Sequence, residues 1–228
     1  MRGAVAVFVK TPGLSPVKTR LAATLGHQLA EHFFLLAKDA MAALLADARR
    51  QFATENIELT PYWAIGEPQG VNHPLWQYDD MQRMHTGDGG LGERMCHVYS
   101  TLLEQYDFVF LLGMDSPQNT AANLLTAANY LREPDSLVFG PTYDGGFYLL
   151  GGNTVITREQ WLAVTYSADT TLNEFITQMI LPDDAIHYLP QLTDVDTQPD
   201  LLTICAEMES TPLAEQRAIV EWVQSMDS

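Results

Sequence analysis

The sequence VAVFVKTPGLSPVKTR, residues 5–20, gives the first indication of the fold. Its first five residues are an apolar run of strand length, which two prolines and a glycine then interrupt. The first thirty residues contain four cations and no acid, although even spacing would place roughly four acids there. The four cations are Arg2, Lys10, Lys18 and Arg20. A buried strand therefore leads into a rigid cationic loop that opens a helix, a pattern that favours phosphate binding.

The residues that we expect to contact phosphate in this loop are Lys10, Thr11, Pro12, Lys18 and Arg20. Charged loop residues are rarely part of a core, so we expect Lys18 and Arg20 at the surface, contributing little to stability. The alternative is a loop of solvated charges without a ligand.

The composition limits the classes of protein to which the chain can belong. Its 228 residues are 46% hydrophobic and carry a net charge of −17, which predicts a single domain spanning residues 1–228 and disfavours binding to nucleic acid. Two distant cysteines suggest neither a disulfide framework nor a zinc site. No apolar run approaches eighteen residues and no leader is evident, so we expect a cytoplasmic protein without membrane insertion. A homo-oligomer is compatible with the sequence.

Strand and helix patterns alternate along the chain. We predict strands within residues 5–9, 57–65, 81–85, 106–112, 137–141, 142–152 and 185–189. We predict helices within residues 21–52, 93–104, 118–132, 158–164 and 171–180, and a last helix capped by Thr211 with Pro212 at its first position. The long first helix is interrupted at Gly26. This alternation is typical of an α/β fold with a mostly parallel central sheet flanked by helices.

Two glycine-rich segments are candidate ligand loops. Residues 86–92 contain four glycines, and we expect Gly89 and Gly90 to contact a nucleotide, the alternative being a flexible surface loop. The Asp-Gly-Gly sequence that includes Gly145 and Gly146 is typical of a hairpin turn, in which both glycines are expected at positive φ. These two glycines are also candidate nucleotide contacts.

Several aspartates are candidate catalytic or metal-binding residues. Asp115 follows a buried strand, and ligands of open parallel sheets bind outside the carboxyl ends of the strands. A carboxylate beside phosphate is tolerated when Mg²⁺ or Mn²⁺ lies between them, although Asp115 would also suit a helix N-cap. Asp194 and Asp196 occur in one short segment, where a bend lets both reach one cation. We therefore predict Asp115, Asp194 and Asp196 as metal ligands. Asp115 and Asp144 are also predicted as catalytic residues.

Motifs of several other enzyme classes are absent from the sequence. It contains no GxSxG, no GxxxxGK[ST] and no HExxH, which disfavours a serine hydrolase, a Walker-type NTPase and a zinc hydrolase.

The chain resembles the bacterial glycosyltransferase-A-like family of nucleotide-diphospho-sugar transferases. The resemblance rests on five blocks in the family's order, which lie at residues 8–21, 90–95, 113–117, 140–151 and 194–201. It implies a Rossmann-like sheet with a nucleotide at the carboxyl ends of the first strands. The chain is also similar to the phospholactate guanylyltransferases, which implies phosphate contacts from Lys10, Lys18 and Arg20 and a cation held by Asp115, Asp194 and Asp196.

Two departures from the family patterns bear on the reaction. The strand-end motif Met114-Asp115-Ser116 has one acid where many glycosyltransferases have Asp-x-Asp, and the first loop lacks the glycine-rich pattern of sugar nucleotidyltransferases.

Our first hypothesis is a metal-dependent transferase that uses a nucleotide-diphospho-sugar and a small-molecule acceptor. The alternatives are nucleotidyl transfer to a phosphorylated small acid, with release of pyrophosphate, and nucleotide sensing without turnover.

Overall fold

The structure is a computed structural model that describes residues 1–208 and 213–226, apart from the side chain of Asp183. Within these residues, seven strands form one sheet in the order β3-β2-β1-β4-β6-β5-β7. The strands are β1 (Arg2–Val9), β2 (Glu58–Ile65), β3 (Gln82–His85), β4 (Phe108–Leu112), β5 (Leu137–Pro141), β6 (Phe147–Gly152) and β7 (Ile186–Tyr188). Every pair of neighbours is parallel except the two that involve β6. The predicted α/β fold with a mostly parallel sheet is confirmed.

Eight α-helices surround the sheet in the described part of the chain. They are α1 (Thr19–Leu25), α2 (His27–Thr54), α3 (Leu91–Leu103), α4 (Ala121–Tyr130), α5 (Arg158–Leu162), α6 (Thr171–Gln178), α7 (Gln198–Met208) and α8 (Ala214–Ser225). Gly26 separates α1 from α2 at a φ of 84°, which explains the predicted interruption because glycine adopts this conformation without strain. The predicted cap at Thr211 and Pro212 lies outside the described residues. None of the described helices is long and apolar enough to cross a membrane.

The two faces of the sheet pack against different helices because side chains alternate along a strand. In β1, Val5 and Val7 belong to the apolar cluster shared with α2 and α4, whereas Ala4 and Ala6 belong to the cluster shared with α3, α5 and α6. A third cluster joins α1 and α2 to α7 and α8. The sheet therefore lies between two helical layers, which we call the α2 side and the α3 side.

The carboxyl ends of the two central strands lie next to each other. β1 and β4 are parallel, and Val7 pairs with Leu112, the last residue of β4. The loop that begins at Lys10 and the segment that begins at Gly113 consequently leave the sheet at the same edge, as the sequence predicts for the phosphate loop and Asp115.

Candidate functional site

Asp115 lies three residues beyond β4 and does not cap a helix. The helix that follows begins at Ala121, and its N-cap is Thr120, whose Oγ1 accepts a hydrogen bond of 3.2 Å from the backbone N–H of Asn123. The alternative in which Asp115 is an N-cap is therefore wrong. Its carboxylate is 43% exposed at the carboxyl edge of the sheet.

Lys18 is the partner of Asp115. Its Nζ lies 2.5 Å from Asp115 Oδ1 and donates a 2.6 Å hydrogen bond to the carbonyl of Val195. The side chain is only 5% exposed, and its ammonium lies 5.3 Å from the ring centroid of Phe33 in α2. The expectation of a surface cation is therefore wrong for Lys18, because an ion pair and a hydrogen bond compensate the loss of its hydration.

The segment that contains Asp194 is fixed against the end of β4. The backbone N–H of Val195 donates to the carbonyl of Asp115 at 2.9 Å, and Ser116 Oγ donates to Asp194 Oδ1 at 3.1 Å. Asp196 instead forms an ion pair with Arg20. The structure thus brings Asp194 to Asp115, whereas the contact of Asp196 is with the cationic loop.

The environment of Asp194 favours its uncharged form. Burial is the largest cause, and repulsion by the carboxylates of Asp115 and Asp144 adds to it, so that the pKa of Asp194 rises from 3.8 to about 7. The charge of Lys18 and the hydrogen bond from Ser116 oppose this rise in pKa. Three carboxylates therefore interact at this edge of the sheet, and the pKa of Asp194 is raised towards neutral pH.

This pKa shift predicts a pH-dependent stability. Between about pH 4 and pH 7 the folded chain binds more protons at Asp194 than the unfolded chain does, so this carboxyl makes stability fall as the pH rises through that interval. Asp194→Asn removes the charge and keeps an oxygen that can accept from Ser116. We expect the variant to melt a few degrees above wild type at pH 8 without metal, with a smaller difference at pH 5. Melting curves at both pH values check this expectation, and an equal difference at the two would contradict it.

Asp144 lies in the hairpin turn between β5 and β6. Its Oδ1 accepts from Thr142 Oγ1 at 2.5 Å and from the backbone N–H of Gly146 at 3.1 Å, so that the carboxylate is fixed by its own turn. Gly145 has a φ of 87°, as predicted, but Gly146 is not at positive φ, so that part of the turn prediction is wrong. At Gly146 a side chain is restricted instead by Thr142 and Asp144, whose oxygens would lie 3.1 and 3.3 Å from an added Cβ.

One cavity of about 260 Å³ joins these carboxylates. Asp115, Asp144 and Asp194 all line it, together with Gly146 and apolar residues of the α3 side. Both predicted catalytic residues and two of the three predicted metal ligands therefore lie at one cavity.

The remaining residues of the predicted phosphate loop have different environments. Lys10 and Arg20 are exposed, and Pro12 is partly buried. Thr11 is fully buried: its N–H donates to Glu67 Oε2, and its Oγ1 accepts from Trp76 Nε1, both at 3.0 Å. We therefore assign Thr11 the role of anchoring the loop, in place of the predicted phosphate contact.

The glycine-rich loop is held by an arginine that the sequence reasoning did not single out. Arg94 donates to the carbonyls of Gly89 and Gly66 at 2.9 and 2.8 Å and to Thr86 Oγ1 at 2.7 Å. Gly89 is exposed at a φ of 96°, and the N–H of Gly90 donates to the side chain of Glu93. The loop is thus tied to the end of β2, and neither Gly89 nor Gly90 lines the cavity of the three carboxylates. Arg94 lies in the family block at residues 90–95, and its position in that block could have indicated a role in this loop.

The sequence pattern also did not indicate Gln118 and Glu207, whose hydrogen bonds hold the segment of Asp194. Glu207 in α7 accepts hydrogen bonds from Gln118 Nε2 and Thr193 Oγ1, both at 2.7 Å, and Gln118 also donates to the carbonyl of Thr193. These contacts fix the residue next to Asp194. Nothing in the local sequence pattern indicates these contacts, because Gln118 is 75 residues from Thr193 and 89 residues from Glu207.

The donor set fits a hard cation that also binds phosphate. In residues 1–208 and 213–226, no three His, Cys, Asp or Glu side chains are arranged to hold a metal ion by themselves. Mg²⁺ commonly uses one or two carboxylates together with phosphate oxygens and water. Asp115 and Asp194, which both line the cavity, provide such a pair. These two residues could therefore hold a cation once a nucleotide supplies the other oxygens.

The mostly parallel seven-stranded sheet between two helical layers is a glycosyltransferase-A-like fold, which nucleotidyltransferases and glycosyltransferases share. The chain belongs to the DUF2064 family, described as an uncharacterized protein conserved in bacteria, whose model matches residues 35–168. No curated protein matches the sequence.

Two solved structures with the same fold are related to this chain only distantly in sequence. A protein of Desulfovibrio desulfuricans G20, provisionally named a nucleotide-diphospho-sugar transferase, has a TM-score of 0.76 at 22% identity, with 97% of each chain covered. The 4-diphosphocytidyl-2C-methyl-D-erythritol synthase of Anaerococcus prevotii DSM 20548 has a TM-score of 0.53 at 13% identity, over 91% of this chain and 96% of that chain. At these identities the similarity establishes the fold.

Proposed function

We propose that this protein is a transferase that uses a nucleotide-diphospho-sugar donor and a divalent cation, Mg²⁺ or Mn²⁺, to glycosylate a small-molecule acceptor. The observation that carries the proposal is the cavity lined by Asp115, Asp144 and Asp194 at the carboxyl edge of a glycosyltransferase-A-like sheet. The likeness to the D. desulfuricans protein supports this choice of donor through its name.

The proposed roles follow from the positions of the side chains. Asp115 and Asp194 would hold the cation, which would neutralise the developing charge of the departing diphosphate. Arg20 and Lys10 are exposed cations of the first loop, suited to the outer phosphate oxygens. Lys18 positions Asp115 from the α2 side through their ion pair.

The transfer itself exchanges one bond to the sugar for another. The bond between the sugar carbon and the diphosphate oxygen breaks, a bond from the acceptor oxygen to that carbon forms, and the nucleoside diphosphate leaves. The hydroxyl proton of the acceptor goes to a carboxylate, for which we propose Asp144. This carboxylate is exposed at the cavity and is oriented by Thr142 and Gly146.

The second candidate is nucleotidyl transfer from a nucleoside triphosphate to a phosphorylated small acid. The likeness to the A. prevotii synthase favours it through the diphosphocytidyl group in that enzyme's name. The same carboxylates and loop cations would then act at the α-phosphate, and pyrophosphate would be the leaving group.

Thermal unfolding and product analysis test the two candidates. We expect nucleoside diphosphates or their sugars to raise the melting temperature only when Mg²⁺ or Mn²⁺ is present. A ligand at 100 times its dissociation constant stabilises by about 2.7 kcal/mol, or roughly 5–10 °C for a chain of this size. Release of a nucleoside diphosphate supports glycosyl transfer, whereas release of pyrophosphate from a triphosphate indicates the second candidate. Absence of any metal-dependent nucleotide binding would contradict both.

A further inference from the structure

The cavity beside the three carboxylates is apolar over most of its remaining wall. Residues that line it include Phe8 at the end of β1, Leu91 and Met95 of α3, Phe147 of β6 and Tyr166 in the loop before α6. Among the described residues that line the cavity, none is Lys, Arg or His. The only charges that face its interior are therefore negative.

The hydroxyl groups of the wall are mostly engaged within the protein. Tyr166 donates to the carbonyl of Trp161 at 2.9 Å, and Tyr148 donates to that of Pro190 at 3.1 Å. Thr171 donates to backbone carbonyls of its own loop. These side chains consequently offer the cavity carbon surface, which recognises a ligand by apolar contact.

The cations near the site lie elsewhere. Lys18 approaches Asp115 from the α2 side, where it lies against Phe33, whereas the apolar wall of the cavity consists mainly of residues of the α3 side. Arg20 is paired with Asp196, and its charge also interacts with those of Asp144 and Asp194, but its side chain does not line the cavity. Arg94 is held by the glycine-rich loop. Phosphate groups are thus favoured on the loop side of Asp115 and disfavoured in the cavity. A divalent cation bound to Asp115 and Asp194 would neutralise the charges of those two carboxylates, and the charge of Asp144 would remain.

We propose that the acceptor is an uncharged alcohol with an apolar body, and that this cavity, between the hairpin of Asp144 and helix α3, is its binding site. The inference rests on the proposed function and names the substrate class of the same site. A cavity of about 260 Å³ is slightly below the range of roughly 300–1,000 Å³ typical of small-molecule pockets, so the acceptor, or the part of it that enters, is small. A phosphorylated acid would bring its charge against Asp144 with no cation in the wall to compensate.

Two probes that differ mainly in charge test this inference without requiring turnover. Benzyl alcohol and phenyl phosphate share one aromatic ring, and ligand-observed NMR titrations give the dissociation constant of each. The titrations are made first with a chelator present and then with Mg²⁺ and a nucleoside diphosphate. We expect benzyl alcohol to bind at least about tenfold more tightly in the chelator experiment, because like charges in the cavity repel the phosphate.

A pair of variants locates the binding. Leu91 is 45% exposed at the mouth of the cavity, and Leu91→Arg adds a cation there. Leu29, 40% exposed in α2, is not among the residues that line the cavity, so Leu29→Arg is the matched control. We expect Leu91→Arg to tighten phenyl phosphate at least about fivefold, and Leu29→Arg to change neither constant.

The outcomes separate this inference from the proposed function. Tighter binding of phenyl phosphate to wild type with chelator, or binding of neither probe, would overturn the inference, whatever the nucleotide does. An equal effect of the two arginine variants would also overturn it, because the probes would then bind elsewhere. Failure of the nucleoside diphosphate to bind with Mg²⁺ would contradict the proposed function alone, since the chelator experiment still measures the preference of the cavity.

Discussion

Asp115→Asn is expected to weaken metal-dependent nucleotide binding by at least about 100-fold. Asparagine keeps the size of the side chain and an oxygen acceptor but loses the charge that a hard cation prefers. Even residues that only support metal ligands contribute about 10- to 100-fold to metal affinity, so the loss of one of two carboxylate ligands is expected to exceed that range. Calorimetric titration of Mg²⁺ or Mn²⁺, with nucleotide present, into both proteins measures the effect.

The same substitution also leaves Lys18 without its ionic partner. Because the Lys18 side chain is 5% exposed, we expect the melting temperature of the metal-free variant to fall as well. Asp80→Asn is the matched control: the Asp80 side chain is 49% exposed and lies 3.4 Å from Arg49, whose side chain is 42% exposed. An exposed pair of this kind contributes about 0–1 kcal/mol, so the control should change neither stability nor binding much. Equal metal affinity in wild type and Asp115→Asn would show that Asp115 only holds Lys18.

Gly145→Ala is expected to destabilise the fold by about 2–5 kcal/mol. An alanine at its φ of 87° is strained by roughly 1–2 kcal/mol. A Cβ at this position would also overlap the backbone of Asp169, which cannot move as a flexible side-chain end could. Such overpacking commonly costs about 1–3 kcal/mol. Since Asp144 and the loop before α6 both line the cavity, binding in the cavity should weaken too.

Gly13→Ala isolates the steric part of this effect. Gly13 has a φ of 85°, nearly that of Gly145, but an added Cβ at Gly13 would meet no atom within 4 Å. Both substitutions therefore share the backbone strain, and only Gly145→Ala adds the overlap with Asp169. Denaturant unfolding of wild type and both variants measures the two free energies. Similar losses at the two glycines would contradict the close packing of the hairpin against that loop.

The contrast between Lys18 and Arg20 shows why the cationic loop could be located from sequence but not fully interpreted. Lys18 directly precedes α1 and Arg20 lies in its first turn, and both were expected at the surface. Arg20 is exposed and paired with Asp196, whereas Lys18 is almost buried against Asp115. Which of the two is buried depends on the segment of Asp194, where the Val195 carbonyl that accepts from Lys18 is 177 residues further along the chain.

The sequence by itself determined the elements and the edge at which the site lies. The apolar run at residues 5–9, the long helix broken at Gly26 and the buried run before Asp115 are local patterns, and they predicted β1, α1 with α2, and β4. Parallel strands then place the ends of β1 and β4 at one edge, because the crossover helices return the chain to the same starting edge of the sheet.

Only the tertiary structure decided which aspartates meet. Asp115, Asp144 and Asp194 come from three separate connections, and the contacts that position Asp194 are made by Ser116 and the backbone of Asp115. The spacing of Asp194 and Asp196 suggested two ligands of one cation, but Asp196 has Arg20 as its partner. The apolar wall of the cavity, which has no Lys, Arg or His among the described lining residues, is likewise assembled from α3, β6 and the loop before α6. Contacts between residues so far apart in sequence are set by the packing of the whole sheet and its helices, and no local pattern encodes them.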